Sequence, residues 1–218
     1  MYSRRRRRKL QFLITAGGTR EYIDPVRFIS NASSGKMGYE LARSAIAGGH
    51  NVTLITAPTN LNTPKGAGVV KVESAADMFD AVKDKFGGCD CLIMTAAVSD
   101  YTPAKPARHK IKKSPGAITL KLKPTQDILK WAGSHKKQNQ VVVGFALEDR
   151  DIKNGAECKM RDKKLDMIIA NTPAAIGSER CDVWVKNAGQ EWRWFADATK
   201  RSVAGRLIRM IEQSMQMD

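Results

Sequence analysis

The chain has 218 residues, 42% of them apolar and 6% aromatic, and a formal net charge of +15. That length supports a substantial core; no apolar run approaches the roughly 20 residues that cross a bilayer, and the N-terminus lacks the apolar centre of a secretory signal, so a cytosolic protein is expected. The charge asks for a polyanionic partner, whether nucleic acid, a membrane surface or phosphorylated small molecules.

Five arginines from Arg4 to Arg8, followed by Lys9, cannot pack, so residues 1–9 are expected to form a solvated basic tail ahead of one domain over residues 10–218. A nucleic-acid arm is the alternative reading of the tail. Residues 10–16 form a short apolar run ended by Gly17 and Gly18, the pattern of a buried first strand entering a tight turn. A loop with Asp24 and Pro25 leads to FISNASSGKMG, residues 28–38. From Ser34, the apolar residues Met37, Leu41, Ala45 and Ile46 recur at helical spacing until Gly48 and Gly49. Unpaired N–H groups at a helix start, with glycines allowing close approach, make this stretch suited to a phosphate or carboxylate.

Strands are expected over 51–57 and 69–72, a helix capped by Ser74 and Asp77 running to Phe86, and a strand over 89–97. Residues 98–116, rich in lysine and proline, read as a long exposed loop of the kind that forms lids. A short strand over 118–122, a helix over 127–137, a strand over 140–145, a helix over 151–165 and a strand over 167–170 follow. Residues 183–186 and 191–195 flank Asn187-Ala188-Gly189 as an antiparallel hairpin. A last helix over 199–217 carries Val203, Leu207, Ile208 and Ile211 on one face. Alternating strands and helices imply an α/β, Rossmann-like, mostly parallel sheet covered on both faces, with a long flap loop, a C-terminal β-hairpin and ligands at the carboxyl ends of the strands.

The cysteines do not fit a zinc site: Cys89 and Cys91 have only one residue between them within an apolar run, and Cys158 and Cys181 stand alone, so no pair has zinc-ligand spacing. His50, His109 and His135 have no carboxylate and nucleophile beside them, which argues against a triad. The mononucleotide loop fails at Ser30 and Met37, and the dinucleotide fingerprint is only partial. The second strand also ends without the acidic residue an NAD enzyme uses.

TAGGTREYIDPVRFISNASSGKMG, with the later AAVSDY, KIKKS, VVGFALE and KMRDKKLDMIIAN, resembles the phosphopantothenate-cysteine ligase family of coenzyme A biosynthesis, in order over almost the whole chain. In the bifunctional bacterial versions a flavin-dependent decarboxylase domain precedes this one, so the chain is similar to a standalone ligase or an excised domain.

The resemblance implies amide formation between the carboxylate of 4'-phosphopantothenate and the amine of L-cysteine, through an acyl-nucleotide, with Mg2+. CTP is favoured as the nucleotide and ATP is the alternative. A basic nucleic-acid-binding α/β protein is the rival reading, supported by the charge and the arginine run, while the aromatics do not interleave with the basic clusters.

On the same resemblance, Asn31 holds the acyl carbonyl and Lys159 the triphosphate. Lys163 is the near alternative to Lys159, and a solvated lysine pair bound to Asp162 or Asp166 is the plain reading of both. Ser33, Ser34, Gly35 and Gly38 present donors to an anion, and a capped helix start is their structural counterpart; Lys36 is as readily a solvated surface residue. Gly17, Gly18, Gly144, Phe145, Ala146, Asn171 and Lys200 belong to the nucleotide side, and Asp100, Lys110, Lys112 and Lys113 to a flap over the substrate. Thr172-Pro173 and residues 176–181 depart from the common bacterial pattern, which leaves base selectivity open. The metal ligands are left unassigned, and a homodimer is implied by the family alone.

Overall fold

A computed structural model describes residues 8–215; most of the arginine run, Arg4 to Arg7, and the expected end of the last helix at Met217 lie outside the described residues. Arg8 does find a partner, donating to Asp90 at 2.6 Å.

The strands are β1 (Gln11–Ala16), β2 (Arg20–Tyr22), β3 (Phe28–Ser30), β4 (Asn51–Thr56), β5 (Ala67–Lys71), β6 (Cys91–Met94), β7 (Tyr101–Pro103), β8 (Leu122–Pro124), β9 (Val141–Leu147), β10 (Met167–Asn171), β11 (Arg180–Asn187) and β12 (Arg193–Thr199). The helices are α1 (Lys36–Ala47), α2 (Ala75–Phe86), α3 (Ile128–His135), α4 (Ile152–Asp162) and α5 (Lys200–Ser214). Eight strands form one sheet in the order β12-β11-β10-β9-β6-β1-β4-β5. Six of them are parallel, while β11 and β12 add an antiparallel edge.

Strand alternation explains both faces of the sheet. Phe12, Ile14, Cys91, Ile93, Met167 and Ile169 point into one core with α1 and α5. Leu13, Leu92, Met94, Val142, Ile168 and Ala170 point into a second core with α2, α3 and α4. Cys89 packs against the second core and Cys91 lies in the first; a spacing of two on one strand would put them on the same face, but Cys89 precedes β6, which begins at Cys91. Burial raises the Cys89 thiol to about 11.

Three expectations are corrected. The Asp24 loop is the turn of a small hairpin, because β2 and β3 pair from Arg20↔Ser30 to Tyr22↔Phe28. β6 stops at Met94 because residues 95–97 leave the ladder toward the turn after β1: Ala97 N–H donates to Gly17 O at 2.9 Å and Thr19 N–H to Ala97 O at 3.2 Å. The long loop contains β7, which pairs with β8, so the strand expected over 118–122 begins only at Leu122. Residues 118–121 alternate polar and apolar, yet Ile118 and Leu120 stay exposed.

The order of the parallel strands reverses between β1 and β6, since β4 and β5 follow on one side and β9 and β10 on the other. A crevice at such a reversal, outside the carboxyl ends, is where open α/β sheets bind ligands.

Candidate functional site

Two adjoining cavities occupy this crevice. The larger, of about 370 Å³, brings together Asn31, Ser33, Ser34, Gly35, Asp100, Phe145, Ala146, Lys159, Asn171 and Lys200. The smaller, of about 160 Å³, lies toward α3 and is lined by Thr125, Gln126, Asp127 and Lys163. Ala96, Asp100, Phe145 and Lys159 border both.

Backbone builds one wall. Gly35 precedes α1 in a left-handed conformation (φ 76°), and no side chain caps the helix. The serines are not caps in the usual sense: Ser33 Oγ accepts from Gly35 N–H at 3.4 Å and Ser34 Oγ from Lys36 N–H at 3.5 Å, both long. Gly38 sits where a Cβ would lie 2.6 Å from both Ala16 Cβ and Thr95 Oγ1, so only glycine lets α1 press onto β1 and β6. Asn31 donates Nδ2 to Ala97 O at 3.1 Å, which ties the loop to the segment that follows β6.

Long side chains build the opposite wall. Lys159, half-buried on α4, donates to Phe145 O at 3.0 Å. Burial, and then the neighbouring Lys163, lower its pKa from the ordinary lysine value. Lys163 pairs with Asp127 at 2.8 Å, not with Asp162 or Asp166; Asp166 is taken by Lys136 at 2.5 Å and Asp162 by Arg161 at 3.3 Å. Asp127 also caps α3, accepting from Lys130 N–H at 2.9 Å. Burial opposes its ionisation, but the bonds from Lys163 and Lys130 outweigh that, and the carboxyl falls below its usual range. Gly133 lets α3 approach, since a Cβ there would meet Lys163 O at 1.9 Å.

Several expected site residues stand elsewhere. Gly17 (φ 84°) and Gly18 lie behind the wall, where a Cβ would come within 2.9 Å of Ala57 O and 2.8 Å of Asn31 O respectively. Gly144 faces α3 and α4, with Leu165 Cδ1 at 2.7 Å from a would-be Cβ, so its neighbours rather than itself meet the cavity. Lys200 is buried and donates to Ala175 O at 3.1 Å and to Ser178 O, bracing the loop that carries Ile176; with Asn171 it borders the larger cavity, not the α3 side. Lys110, Lys112 and Lys113 are exposed on the flap and line neither cavity.

Sequence reading missed Asp24, Arg27, Thr125 and Asp127. The buried Asp24 carboxylate accepts from Val26 N–H and Arg27 N–H at 2.9 Å, from Arg27 Nε at 3.0 Å, from Arg27 Nη2, and from Ile111 N–H at 3.0 Å. Arg27 Nη2 also donates to Ile111 O at 2.9 Å. Arg27, then the Ile111 N–H, hold the carboxyl far below the usual range. This knot fastens the flap at Ile111, between Lys110 and Lys112. Asp24 and Arg27 three residues apart were a legible turn signal, but their distant partner was not.

The histidines lie outside the crevice. His50 Nδ1 accepts from Leu10 N–H at 3.2 Å, so Nε2 carries the proton and donates to Glu212 at 2.7 Å. His135 stacks on Trp131. Among the described residues no three His, Cys, Asp or Glu side chains cluster to hold a metal, and no helix is long and apolar enough to cross a membrane.

This glycine-and-serine wall, with the lysines opposite, falls within a match to the DNA/pantothenate metabolism flavoprotein C-terminal domain that covers residues 7–215. The chain belongs to that family. It is 51% identical over 167 residues to the coenzyme A biosynthesis bifunctional protein CoaBC of Bacillus subtilis (strain 168), covering 76% of this chain and 41% of the relative. It is 42% identical over 203 residues to a cysteine/cysteine sulfinic acid decarboxylase of an unknown prokaryotic organism, covering 91% of this chain and 56% of that protein. The chain thus spans about half the length of the curated relatives it matches. The crystal structure of the C-terminal domain of CoaBC overlays with a TM-score of 0.83 at 38% identity, covering 96% of this chain and 97% of that one. Its fold is the family's: a mostly parallel eight-stranded sheet ending in an antiparallel hairpin.

Proposed function

We propose that this chain is a phosphopantothenate-cysteine ligase of coenzyme A biosynthesis, which activates the carboxylate of 4'-phosphopantothenate as an acyl-nucleotide and transfers the acyl group to L-cysteine. The observation that carries this reading is Lys159, a half-buried cation on the border of both cavities. A carboxylate in the larger cavity and an α-phosphate in the smaller would meet beside it.

In the first step the substrate carboxylate attacks the α-phosphorus and pyrophosphate leaves. Lys159 and Lys163 offset the charge that builds on the phosphate oxygens, in a setting where burial strengthens them. In the second step the cysteine amine attacks the acyl carbonyl, the nucleoside monophosphate leaves, and the amine proton passes to solvent or phosphate. Asn31 is at the acyl end, and its second Nδ2 hydrogen is available to the carbonyl because the first is spent on Ala97 O. Positioning carries such chemistry, since both nucleophiles come from substrates.

Mg2+ is bound elsewhere through one or two carboxylates and substrate phosphates, and Asp100, bordering both cavities, is the carboxylate suited to that here. When bound it would neutralise phosphate charge. We take CTP as the nucleotide, with ATP as the alternative, the cytoplasm as the location and a homodimer as the assembly. Flap closure through Lys110 and Lys112 would keep water from the acyl-nucleotide.

The test is turnover with CTP and ATP side by side. Pyrophosphate release that needs both nucleotide and 4'-phosphopantothenate, followed by nucleoside monophosphate release on adding cysteine, is the expected result. Nucleic-acid binding without such turnover would instead favour the basic binding protein.

A further inference from the structure

The flap leaves the body of the chain at Asp100 and returns at Thr125: β7 starts at Tyr101, β8 ends at Pro124, and these two residues pair. Thr125 closes the excursion with both of its polar groups. Its N–H donates to Asp100 O at 2.9 Å and its Oγ1 donates to Ser99 O at 2.7 Å. Those are the carbonyls on either side of the Asp100 Cα, so a single residue holds both peptide planes that flank it. A residue's backbone freedom lies in the rotation of those two planes; with both held, the direction of the Asp100 Cβ is set.

The grip is anchored at each end. Behind Asp100, Ser99 N–H donates to Thr19 Oγ1 at 2.9 Å, and Thr19 Oγ1 donates to Ser99 Oγ at 3.3 Å. Thr19 and Ser99 are both buried, and Thr19 N–H is itself bonded to Ala97 O in the turn after β1. Beyond Thr125, Asp127 caps α3 and pairs with Lys163. Residues 125–127 therefore place an anion, Asp100, and a cation, Lys163, at the smaller cavity. The Asp100 side chain is exposed and no hydrogen bond or ion pair holds its carboxylate among the described residues. Its aim depends on its backbone.

We propose that Thr125 is a positioning residue, whose hydroxyl aims the Asp100 carboxylate at the junction of the two cavities independently of how the flap lies. The effect on pyrophosphate release rests on the ligase reading, in which Asp100 serves the nucleotide phosphates; the effect on nucleotide binding does not. Thr125→Val separates the hydroxyl from the rest of the residue, because it keeps the shape and the N–H but leaves Ser99 O without its partner.

The test is a double-variant cycle in the full chain, combining Thr125→Val with Asp100→Asn. Pyrophosphate release is followed in single turnover, and affinity for CTP and ATP in the presence of Mg2+ by calorimetry. Thr125→Val should slow release by roughly tenfold, within the scale of a misplacement of up to about 1 Å, and Thr125→Ser should restore the rate. Added to Asp100→Asn, Thr125→Val should slow release by less than about twofold more, because residues that act through one another do not add. A merely structural residue would lower the melting temperature and give losses that multiply. Thr125→Ala, read in the same cycle, covers a folding failure of Thr125→Val. A wild-type chain that binds nucleotide without releasing pyrophosphate would sink the ligase reading, and the same cycle on nucleotide affinity would then decide the placement. Losses that multiply, a Thr125→Val chain equal to wild type in both readouts, an Asp100→Asn chain equal to wild type in both, or a wild-type chain that binds neither nucleotide would overturn the proposal.

Discussion

On one side of the crevice, residues 31–38 present backbone donors, short hydroxyls and one amide; on the other, α3, α4 and their flanks present lysines and aspartates whose charged ends lie far from the main chain. The first wall is held by close approach, at Gly35 and Gly38, where any larger residue collides or strains. The second is held by ion pairing, Lys163 with Asp127, and by the bond from Lys159 to Phe145 O. A wall of the first kind is rigid and costs nothing to organise when the ligand arrives. One of the second kind can follow charge as it moves during reaction.

The largest effect should come from removing charge from the second wall. Lys159→Gln should slow pyrophosphate release by about 10²-fold to 10³-fold, the scale seen when a donor aimed at developing charge is lost, with little change in melting temperature; single-turnover assays check it. The same lysine predicts a pH dependence. Burial and Lys163 lower its pKa, so as pH rises it loses its charge earlier than an ordinary lysine at about 10.4. Pyrophosphate release should therefore fall on the alkaline side with a midpoint below that value, and a midpoint at or above it would remove Lys159 from the step.

An intermediate effect is expected at the flap. Asp24→Asn keeps one acceptor oxygen but removes the charge and replaces the other oxygen with an NH2 that cannot accept, so Arg27 and Ile111 lose their acceptor, and freeing Ile111 should displace Lys110 and Lys112. A misplacement of about 1 Å can cost about 10²-fold, so kcat should drop by one to two decades, with faster amide exchange at residue 111 as the accompanying readout. Because the Asp24 carboxyl titrates far below its unfolded value of about 3.9, the stability it contributes is present above that pH and is lost as pH falls below it.

The first wall should break through packing, not chemistry. Gly38→Ala should cost about 1–3 kcal/mol by overpacking, read as a lower denaturation midpoint. The smallest effects belong to Ser33→Ala and Ser34→Ala, whose bonds are long and whose loss should stay below about 1 kcal/mol; stability measurements on each check this.

The same contrast explains what could be read from the chain. Residues 31–38 are contiguous and their glycine, serine and amide chemistry is local, so the glycine-led start of α1 and the helix itself were legible in sequence. The parallel sheet was legible too, from strand runs alternating with amphipathic helices. The second wall draws on residues 100, 125–127, 145, 159 and 163, brought together only by strand order, and Lys163 took Asp127 where helical spacing offered Asp162 and Asp166. The Asp24 knot was hidden for a like reason, since Ile111 lies 87 residues away. Glycine packing was not legible in sequence: a Cβ on Gly144 would meet Leu129 and Leu165, one on Gly17 the backbone of Ala57, and one on Gly18 that of Asn31.

The division of labour between the walls is tested most directly by Asn31→Asp, with both half-reactions followed by quenching and separation of the nucleotide products. The variant should release pyrophosphate at near the wild-type rate and accumulate acyl-nucleotide, which cysteine then discharges slowly, whereas Lys159→Gln should fail before the intermediate forms. Finding both variants stopped at the same step, or neither impaired, would contradict it.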